Sequence, residues 1–400
     1  MKVCFVTTSF VRSASDHYAR FVYEQAKSLR EAEPGISVVI VAPHAPGLAH
    51  RETIDGLEIR RVRYFWPARL ERLAYRHEGL FETLRGSPLA LVQLPCLLVA
   101  LMLELLRAAR GATVIHAQWV PTAAIALLVG ALRGISVVVS VRGADLNSAR
   151  KSRFGRWLTR AVINRVSYVV TVSDEFRDLL LTELACRKPV VALYNGVDTT
   201  QFHPRDMSAC RRELGLPAAT PIVVYVGSLI ERKGVASLIE ALAPGVSAMP
   251  VDAYLAGEGS QRALLEELAR RGETCDRVHF LGAVAKDRVH LWMGAADMLV
   301  LPSYSEGRPN VVLEALASGT PVVASAVNGT TELIRDGEDG LLFRPGDVAG
   351  LRACIVRMLA EPELKTRMAV RGPQRIASLG LSWSDHGRRL LAIYRETVGN

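Results

Sequence analysis

Short apolar runs alternate with amphipathic segments along most of the chain. Each run is rich in valine, isoleucine and leucine, and the segments between runs have apolar residues three or four positions apart, as helices do. The predicted strands of the first half are 2–8, 37–43, 113–117, 136–141, 168–172 and 190–194. Those of the second half are 221–227, 251–257, 277–282, 297–303, 320–325 and 340–344. Continuous apolar runs of this kind are typical of parallel strands that are buried on both faces.

Two such series in one chain predict two α/β domains, each a doubly wound parallel sheet with helices on both faces. A polar stretch with three prolines, 195–221, separates the series, and a helical pattern at 383–398 follows the second. We therefore expect a first domain at 1–203, a second at 204–380 and a C-terminal helix within 381–400. Ligands of such folds bind in a crevice at the carboxyl ends of the strands.

Composition limits the class of protein. Half of the 400 residues are apolar, as in globular proteins with folded cores. The six cysteines are scattered and form no metal-like pattern with histidine, which indicates a reducing compartment without disulfide bonds or a structural zinc site. The N-terminal stretch MKVCFVTTSF lacks the apolar core and cleavage site of a signal peptide, so we expect a cytoplasmic protein.

The net charge of +9 is concentrated in one part of the chain. Residues 56–165 hold 17 Lys and Arg against 6 Asp and Glu, a local excess of +11. Such an excess indicates an anionic partner, namely a nucleic acid, an acidic membrane face or a phosphorylated substrate, unless the charges form an ordinary solvated face. Because the sequence contains no recognisable nucleic-acid-binding module, we expect no nucleic-acid partner.

Residues 59–110 break the alternation of strands and helices. The first part is basic and aromatic, and the second part, 88–106, is almost long and apolar enough to span a bilayer, although Pro95 interrupts it. Three structures are compatible with this pattern: a buried helix pair, an amphipathic surface whose arginines meet anionic lipid headgroups, and a membrane-spanning helix. The sequence favours the buried pair and leaves the other two open.

The stretch 305–325, SEGRPNVVLEALASGTPVVAS, combines a loop, a short helix and a strand. Pro309 suits the first helical position because a helix leaves that N–H unbonded, and Gly319 supplies the C-terminal stop. The helix N-terminus then presents the amides of Asn310 and Val311. Such an end carries about half a positive charge and is a natural seat for phosphate.

Two carboxylates, Glu306 and Glu314, flank this seat. Because carboxylates repel phosphate, they are better suited to accept hydrogen bonds from hydroxyl groups. A ligand with both phosphates and many hydroxyls is a sugar nucleotide. A second stretch, VGSLIERKG at 226–234, ends a predicted strand and delivers Arg232 and Lys233, whose charges can neutralise a diphosphate leaving group.

The E-x7-E spacing from Glu306 to Glu314 resembles the signature of retaining glycosyltransferases of family 4, which have the GT-B fold. Further family-like pieces are YNGVDTTQF, VGSLIERKG, LAGEGSQRALLEELA, VHFLGAV and AADMLVLPSYSEG. The resemblance covers about residues 1–397. It implies two Rossmann-like domains that face each other across a crevice, the first for the acceptor and the second for a nucleotide sugar, with the C-terminal helix returning to the first domain.

The resemblance also implies roles in donor binding. Lys233 holds the diphosphate and takes part in catalysis with Glu306, which bonds to the transferred sugar, while Glu314 binds the ribose hydroxyls. The other donor contacts that it implies are Gly227, Ser228, Arg232, Val284, Gly307 and the amides of Asn310 and Val311. The family often has Gly-Arg where this chain has Gly-Ser at 227–228, and Arg232 is expected to substitute for the missing arginine.

On the acceptor side, VIHAQW keeps His116, which is expected to take part in catalysis and has a structural role as its alternative. Gln118 stands where the family commonly has a second histidine. In VRGADL, Arg142 replaces a histidine and Asp145 is kept. These departures concern the acceptor more than the donor.

The first loop, TSFVRSASDHYARF at 8–21, lacks the paired glycines that many relatives carry. Asp16 and His17 are expected to face the acceptor there. Asp16 is equally suited to cap a helix that runs from 16 to 30.

The resemblance implies a metal-independent retaining enzyme without a cofactor besides the nucleotide-sugar co-substrate, and the sequence contains no D-x-D motif. The expected donor is a UDP-sugar, with GDP-mannose as the alternative. The expected acceptor is a glycan or polyprenyl-linked glycan of bacterial polysaccharide biosynthesis, which a peripheral position on the inner face of the cytoplasmic membrane would suit. A nucleotide-sugar epimerase or phosphorylase of the same fold, and a non-catalytic glycosyltransferase-like scaffold, are the alternatives.

Overall fold

The computed structural model of the protein describes residues 1–13, 16, 19–71, 73–75, 88–243 and 251–399. The chain divides into two compact units. One consists of Met1–Asn195 with Trp383–Asn400, and the other of Gly196–Ser382. The units therefore change over at residues 195 and 382, where the sequence analysis expects boundaries after 203 and 380.

The first unit contains a largely parallel sheet. Its strands are β1 Lys2–Val6, β2 Ser37–Pro43, β3 Arg51–Ile54, β4 Leu57–Val62, β5 Val114–Gln118, β6 Ser136–Val141, β7 Tyr168–Thr171 and β8 Val190–Ala192. In the described part of this unit they form one eight-stranded sheet with the order β3-β4-β2-β1-β5-β6-β7-β8. Neighbouring strands are parallel except β3 and β4, which are antiparallel.

Successive side chains of β1 point into two different cores, because a strand presents alternate residues to opposite faces. Cys4 and Val6 belong to one apolar cluster, and Val3 and Phe5 belong to the other. The helices of this part of the chain are α1 Arg20–Ala32, α2 Pro88–Ala108, α3 Val120–Arg133, α4 Gly143–Lys151, α5 Arg153–Ile163 and α6 Asp174–Thr182. The sheet is therefore covered on both faces, and the predicted doubly wound architecture is confirmed.

The hairpin of β3 and β4 is an element that the sequence analysis misses. Its strands, RETI and LEIRRV, carry too many charges to resemble the buried runs elsewhere. The turn between them consists of Asp55 and Gly56, which both have positive φ, 49° and 74°. Asp-Gly in this conformation is a favoured two-residue hairpin turn, so the turn residues are the signal that identifies such an element.

Helix α2 is the apolar part of the segment that breaks the alternation. The stretch Leu89–Ala108 is long and apolar enough to cross a membrane by length and composition, with a mean hydropathy of 2.3. One stripe of the helix is buried in the core of the first unit through Leu97, Leu101, Leu105 and Ala108. Exposed apolar residues of the same helix are Leu91, Val92, Val99 and Leu103. The buried helix pair that the sequence favours also involves residues 76–87, which lie outside the described ranges.

The second unit contains a parallel sheet. Its strands are β9 Ile222–Val226, β10 Asp252–Ala256, β11 Val278–Gly282, β12 Met298–Leu301, β13 Val322–Ser325 and β14 Leu341–Phe343. Among its described residues the sheet has six strands in the order β11-β10-β9-β12-β13-β14. Its helices are α7 Met207–Leu214, α8 Val235–Ala241, α9 Arg262–Arg271, α10 Lys286–Ala295, α11 Asn310–Ala317, α12 Asn328–Thr331, α13 Val348–Ala360 and α14 Pro362–Leu379.

A buried ion pair fastens α7 to the sheet of the second unit. Arg211 Nη2 donates to Asp297 Oδ2 at 2.8 Å, and the two side chains are 6% and 9% exposed. The same carboxylate oxygen accepts a hydrogen bond from the Ile222 amide at 2.7 Å, where β9 begins. The guanidinium also donates to the backbone carbonyls of Ala295, Pro217, Ala218 and Thr220. This extensive hydrogen bonding offsets the cost of burying both charges.

Helix α15, Trp383–Gly399, returns to the first unit and packs against α1. A Cβ atom on Gly387 would lie 2.1 Å from the carbonyl oxygen of Ser28, so this close approach of the two helices requires glycine. Leu390 and Tyr394 are fully buried in the core that α1 also lines. The C-terminal helix thus completes the first unit, as the resemblance implies.

Candidate active site

The loops that follow β9, β10 and β12 meet at the carboxyl edge of the second sheet. The amide of Tyr304 donates to the carbonyl of Arg232 at 2.9 Å, which joins the loop after β12 to the loop after β9. The loop after β10 approaches so closely that a Cβ atom on Gly257 would lie 1.8 Å from the carbonyl oxygen of Gly227. Glycine at that position therefore lets the loops come together.

Lys233 contacts Glu306 at this edge. The Lys233 Nζ donates to Glu306 Oε1 at 2.6 Å, and Ser303 Oγ donates to the same oxygen at 2.6 Å. Arg232 Nη1 lies 3.9 Å from Glu306 Oε2 and donates to the carbonyl of Ser305 at 2.6 Å. Because the Lys233 and Glu306 side chains are 17% and 6% exposed, water screens their attraction only weakly. The structure thus brings three of the expected donor residues together.

Helix α11 begins beside this contact. Pro309 is its N-cap, so the expectation that Pro309 takes the first helical position is wrong by one residue. The first amides of the helix, those of Asn310 and Val311, have no carbonyl within the helix to bond to, as at any helix N-terminus. Glu314 is half-buried one turn further along. Gly319, with φ of 68°, follows the helix end as predicted.

The remaining expected donor residues lie on neighbouring loops. Gly227 and Ser228 follow β9, and Ser228 is exposed. The carbonyl of Gly307 would lie 2.6 Å from a Cβ atom on Gly329, so α12 begins in direct contact with the loop that carries Glu306. Val284 is half-buried beyond the end of β11. The roles of these residues stay predictions.

Two residues of this site are missing from the sequence analysis. Ser303 is fully buried, and besides its bond to Glu306 its carbonyl accepts from Ser325 Oγ at 2.5 Å. Tyr225 is fully buried, and burial together with the Glu306 carboxylate raises its pKa above the ordinary value. The position of Ser303 directly after an apolar run is the available signal, whereas Tyr225 lies inside a strand and resembles a core residue.

Within the described ranges, no group of three or more His, Cys, Asp and Glu side chains is placed to hold a metal ion. Two positive charges at the carboxyl edge of the second sheet belong to Lys233 and Arg232, which both lie close to Glu306. These side chains can neutralise an anionic ligand directly.

His116 lies inside the first unit, where it is fully buried. One ring nitrogen is hydrogen-bonded to the Tyr394 hydroxyl at 2.5 Å and the other to Ser140 Oγ at 2.8 Å. Burial, assisted by the charge of Arg142, lowers the pKa of His116 to about 3. These contacts fit the structural alternative because they tie β5 to β6 and α15, and a part in catalysis stays a prediction.

Three expected acceptor-side residues, Gln118, Arg142 and Asp145, lie together at the carboxyl ends of β5 and β6. Arg142 Nη2 donates to Gln118 Oε1 at 3.2 Å, and Gln118 Nε2 donates to Gln25 Oε1 at 2.6 Å. The Asp145 carboxylate accepts from the amides of Arg142 and Val120, each at 3.0 Å. Burial lowers the pKa of Arg142 to about 9 and raises the pKa of Asp145 to about 6. The cluster is therefore a buried polar layer beneath the sheet edge.

Asp16 lies in the loop before α1 and does not cap this helix. The helix begins at Arg20 with Ala19 as its N-cap, so the expected start at residue 16 is wrong. The carboxylate of Asp16 instead accepts hydrogen bonds from the Arg12 side chain at 2.7 and 3.3 Å. His17 lies outside the described residues.

Two family descriptions match the chain. The description "Glycosyl transferase 4-like domain" matches residues 18–196, and "Glycosyl transferases group 1" matches residues 220–361. Alpha-D-kanosaminyltransferase of Streptomyces kanamyceticus is 30% identical over 282 residues, which cover 67% of this chain and 72% of that protein. D-inositol 3-phosphate glycosyltransferase of Nocardia farcinica is 34% identical over 235 residues, which cover 56% of this chain and 51% of that protein. The chain thus spans about half the length of the second relative.

The fold also matches that of a solved structure, Anabaena Alr3699/HepE in complex with UDP-glucose. The TM-score is 0.73 at 20% sequence identity, and the match covers 99% of this chain and 100% of that chain. At such low identity the likeness concerns the fold alone. The family matches, the similar relatives and the two doubly wound sheets together show that the chain belongs to glycosyltransferase family 4 and has the GT-B fold.

Proposed function

We propose that the chain is a retaining glycosyltransferase that moves a sugar from a nucleotide-diphosphate sugar to a hydroxyl group of a glycan or lipid-linked glycan. The observation that carries this proposal is the 2.6 Å contact between Lys233 and Glu306 at the carboxyl edge of the second sheet. It joins a cation suited to a diphosphate with a carboxylate suited to sugar hydroxyls. Family membership supports the same activity.

Each charged group of this site has a place in donor binding. A lysine ammonium has three N–H donors, so Lys233 can keep its bond to Glu306 while it donates to the diphosphate. Arg232, which lies at the same edge, adds a second positive charge. The N-terminal amides of α11 and its partial positive charge serve the same phosphates. Glu314, one turn into that helix, is suited to the ribose hydroxyls.

The chemical step then depends mainly on position and charge. As the diphosphate leaves, positive charge develops on the sugar ring, and the acceptor hydroxyl attacks from the face that the diphosphate vacates. The departing phosphate oxygen takes the proton from this hydroxyl, so no protein nucleophile is needed. Lys233 stabilises the negative charge that builds up on the leaving group, and such preorganised charge is a major source of catalysis.

Binding of free nucleotides tests the donor class. We favour a uridine-diphosphate sugar, because Alr3699/HepE of the same fold binds UDP-glucose; GDP-mannose is the alternative. UDP at saturating concentration is expected to raise the melting temperature of the protein, whereas GDP and ADP have smaller effects. Replacement of Lys233 by alanine removes the shift, and the control Arg271→Ala, at a cation of α9 that is 77% exposed, preserves it. If no nucleotide raises the melting temperature, the chain is a scaffold rather than a transferase.

A basic aromatic surface on the first unit supports a peripheral position at a membrane. The exposed rings of Phe154 and Trp157 lie 5.8 Å apart on α5 and are 67% and 63% exposed. A groove beside them is lined by Arg153, Arg156, Arg160, Arg165, Arg187 and Lys188. Aromatic rings that enter the interface and arginines that meet anionic headgroups are the features of an interfacial helix. We propose that α5 docks on an anionic bilayer, which suits a lipid-linked acceptor.

Vesicle binding tests this surface. The variant Phe154→Ser with Trp157→Ser is expected to weaken binding to vesicles that contain anionic lipid by about tenfold or more, because full burial of one such side chain is worth about 1.5–3 kcal/mol. Sedimentation with vesicles measures the effect. The matched control Leu264→Ser removes an exposed apolar residue of the second unit and leaves binding unchanged. Binding that is insensitive to both the double variant and salt would contradict the proposal.

A further inference from the structure

Trp119 holds a strained backbone conformation at the carboxyl end of β5. Its φ of 73° and ψ of 155° lie in a region that only glycine adopts readily and that strains any other residue. The strain places the indole ring edge-on against Phe21, with 5.9 Å between ring centroids. Both rings are half-buried, so part of each remains accessible. Strain that persists at a ligand-binding edge of the sheet indicates a function for the side chain.

Arg142 lies against the same aromatic pair. Its guanidinium carbon is 3.9 Å from the centroid of the Phe21 ring, and the residue is only 9% exposed. Among the described residues, the Arg142 side chain makes one hydrogen bond, to Gln118. Its Nε atom is buried and has no partner among them. Asp145 bonds to backbone amides and makes no ion pair with this guanidinium in the described part of the chain. The guanidinium is therefore buried without a direct ion pair among the described residues, and the Asp145 carboxylate acts on it only through space.

Such a cation is costly unless a ligand supplies the missing charge. Removing an ion from water is unfavourable, and the hydrogen bond to Gln118 together with the contact to the Phe21 ring offsets only part of that cost. A carboxylate or phosphate fits the fork of an arginine through two parallel hydrogen bonds. The Nε of Arg142 is one of the two donors of such a fork, and it has no partner among the described residues. Because β5 and β6 end here, the cluster lies where doubly wound sheets bind ligands.

We propose that Arg142, Phe21 and Trp119 form an acceptor subsite for a sugar that carries a carboxylate or phosphate group. The proposal rests on the proposed function and names the acceptor class. The anionic group pairs with Arg142, and the apolar face of the sugar ring packs on the accessible aromatic surface. Gln118, which is held by Gln25, fixes the orientation of the guanidinium.

Binding of three simple sugars at constant ionic strength tests the subsite. D-glucuronate and glucose 6-phosphate are expected to bind at least about tenfold more tightly than D-glucose, because a hydrogen bond to a charged group is worth about 1.5–3 kcal/mol. Titration calorimetry or ligand-observed NMR measures this preference. Inorganic phosphate, used as a fourth probe, is expected to bind more weakly than glucose 6-phosphate because it lacks the sugar face.

The variants separate the two parts of the subsite. Arg142→Met keeps the side-chain bulk, removes a buried charge and is expected to abolish the preference for anionic sugars. Arg142→Lys retains the charge without the fork and preserves part of the preference, which provides a second test if the methionine variant does not fold. Trp119→Gly relieves the backbone strain and weakens binding of all three sugars. The matched control Arg133→Met, at an exposed arginine of α3, leaves every affinity unchanged.

Two results would overturn the subsite: equal affinity for glucose and glucuronate, or a preference that survives Arg142→Met. The melting-temperature shift with UDP is measured on the same variants. That shift depends on the second unit, so equal affinity of the wild-type protein for glucose and glucuronate with an intact UDP response contradicts the subsite alone. A missing UDP response in the wild-type protein contradicts the proposed transferase instead.

Discussion

Replacement of Lys233 by alanine is expected to slow sugar transfer by about 10²–10³-fold, the usual loss when one preorganised electrostatic contact to the transition state is removed. The ammonium is mostly buried and is held by Glu306 at 2.6 Å, so little has to rearrange when the diphosphate departs. Water that fills the space of the missing side chain would not be oriented in this way. The measurement is kcat/KM for nucleotide release from a UDP-sugar in the presence of a glycan acceptor.

Two further variants show whether this loss is specific to Lys233. Arg232→Ala is expected to cause a smaller loss, because this side chain is 52% exposed and lies 3.9 Å from Glu306. Arg271→Ala removes a cation of α9 that is 77% exposed and leaves kcat/KM unchanged. A Lys233→Ala enzyme within about threefold of the wild-type rate would contradict the assigned role, since a contact to the transition state is worth far more.

Replacement of Asp297 by alanine is expected to lower the free energy of unfolding of the second unit by about 3–5 kcal/mol, because it leaves the charge of Arg211 buried without its partner. The Ile222 amide also loses its acceptor at the start of β9. The guanidinium keeps its carbonyl contacts but not its counter-charge. Hydrogen exchange followed by mass spectrometry measures the effect, since it reports the two units through separate peptides.

Peptides from β9 and β12 are expected to lose protection in the Asp297→Ala protein, while peptides from the first sheet keep theirs. The matched control is Asp276→Ala, at an exposed aspartate of the same unit, which changes stability by less than about 0.5 kcal/mol. Equal protection in both variants would mean that the buried pair contributes no more than a surface pair.

The architecture is largely predictable because buried parallel strands have a simple pattern. Each of the twelve predicted apolar runs corresponds to a strand of the structure, since such a strand must be apolar on both faces. The hairpin of β3 and β4 lies at the end of the sheet, where charged side chains are tolerated, and the apolar pattern cannot detect it. The start of α1 also differs from the prediction, because Asp16 resembles a helix cap but bonds to Arg12.

The candidate site is predictable to the extent that it is local in sequence. Glu306, Asn310 and Glu314 lie within one loop and one helix, so their spacing carries the signal. The bonds of Ser303 to Glu306 and of His116 to Tyr394 depend on how separate segments pack. The second of these joins residues 278 positions apart, and no pattern within a short window contains that information.

The packing of α15 on α1 has a consequence for biosynthesis. All of the second unit, Gly196–Ser382, is translated before Trp383–Gly399. Domains usually fold in the order of synthesis, but here the core of the first unit cannot be completed until the C-terminal helix has been made. Until then Val22, Ala26 and Leu29, which face the core that this helix completes, remain uncovered on the nascent chain. The core of the first unit is therefore the last to be completed on the nascent chain, although most of its residues are the first to be made, which makes these apolar side chains the surface that chaperones must protect.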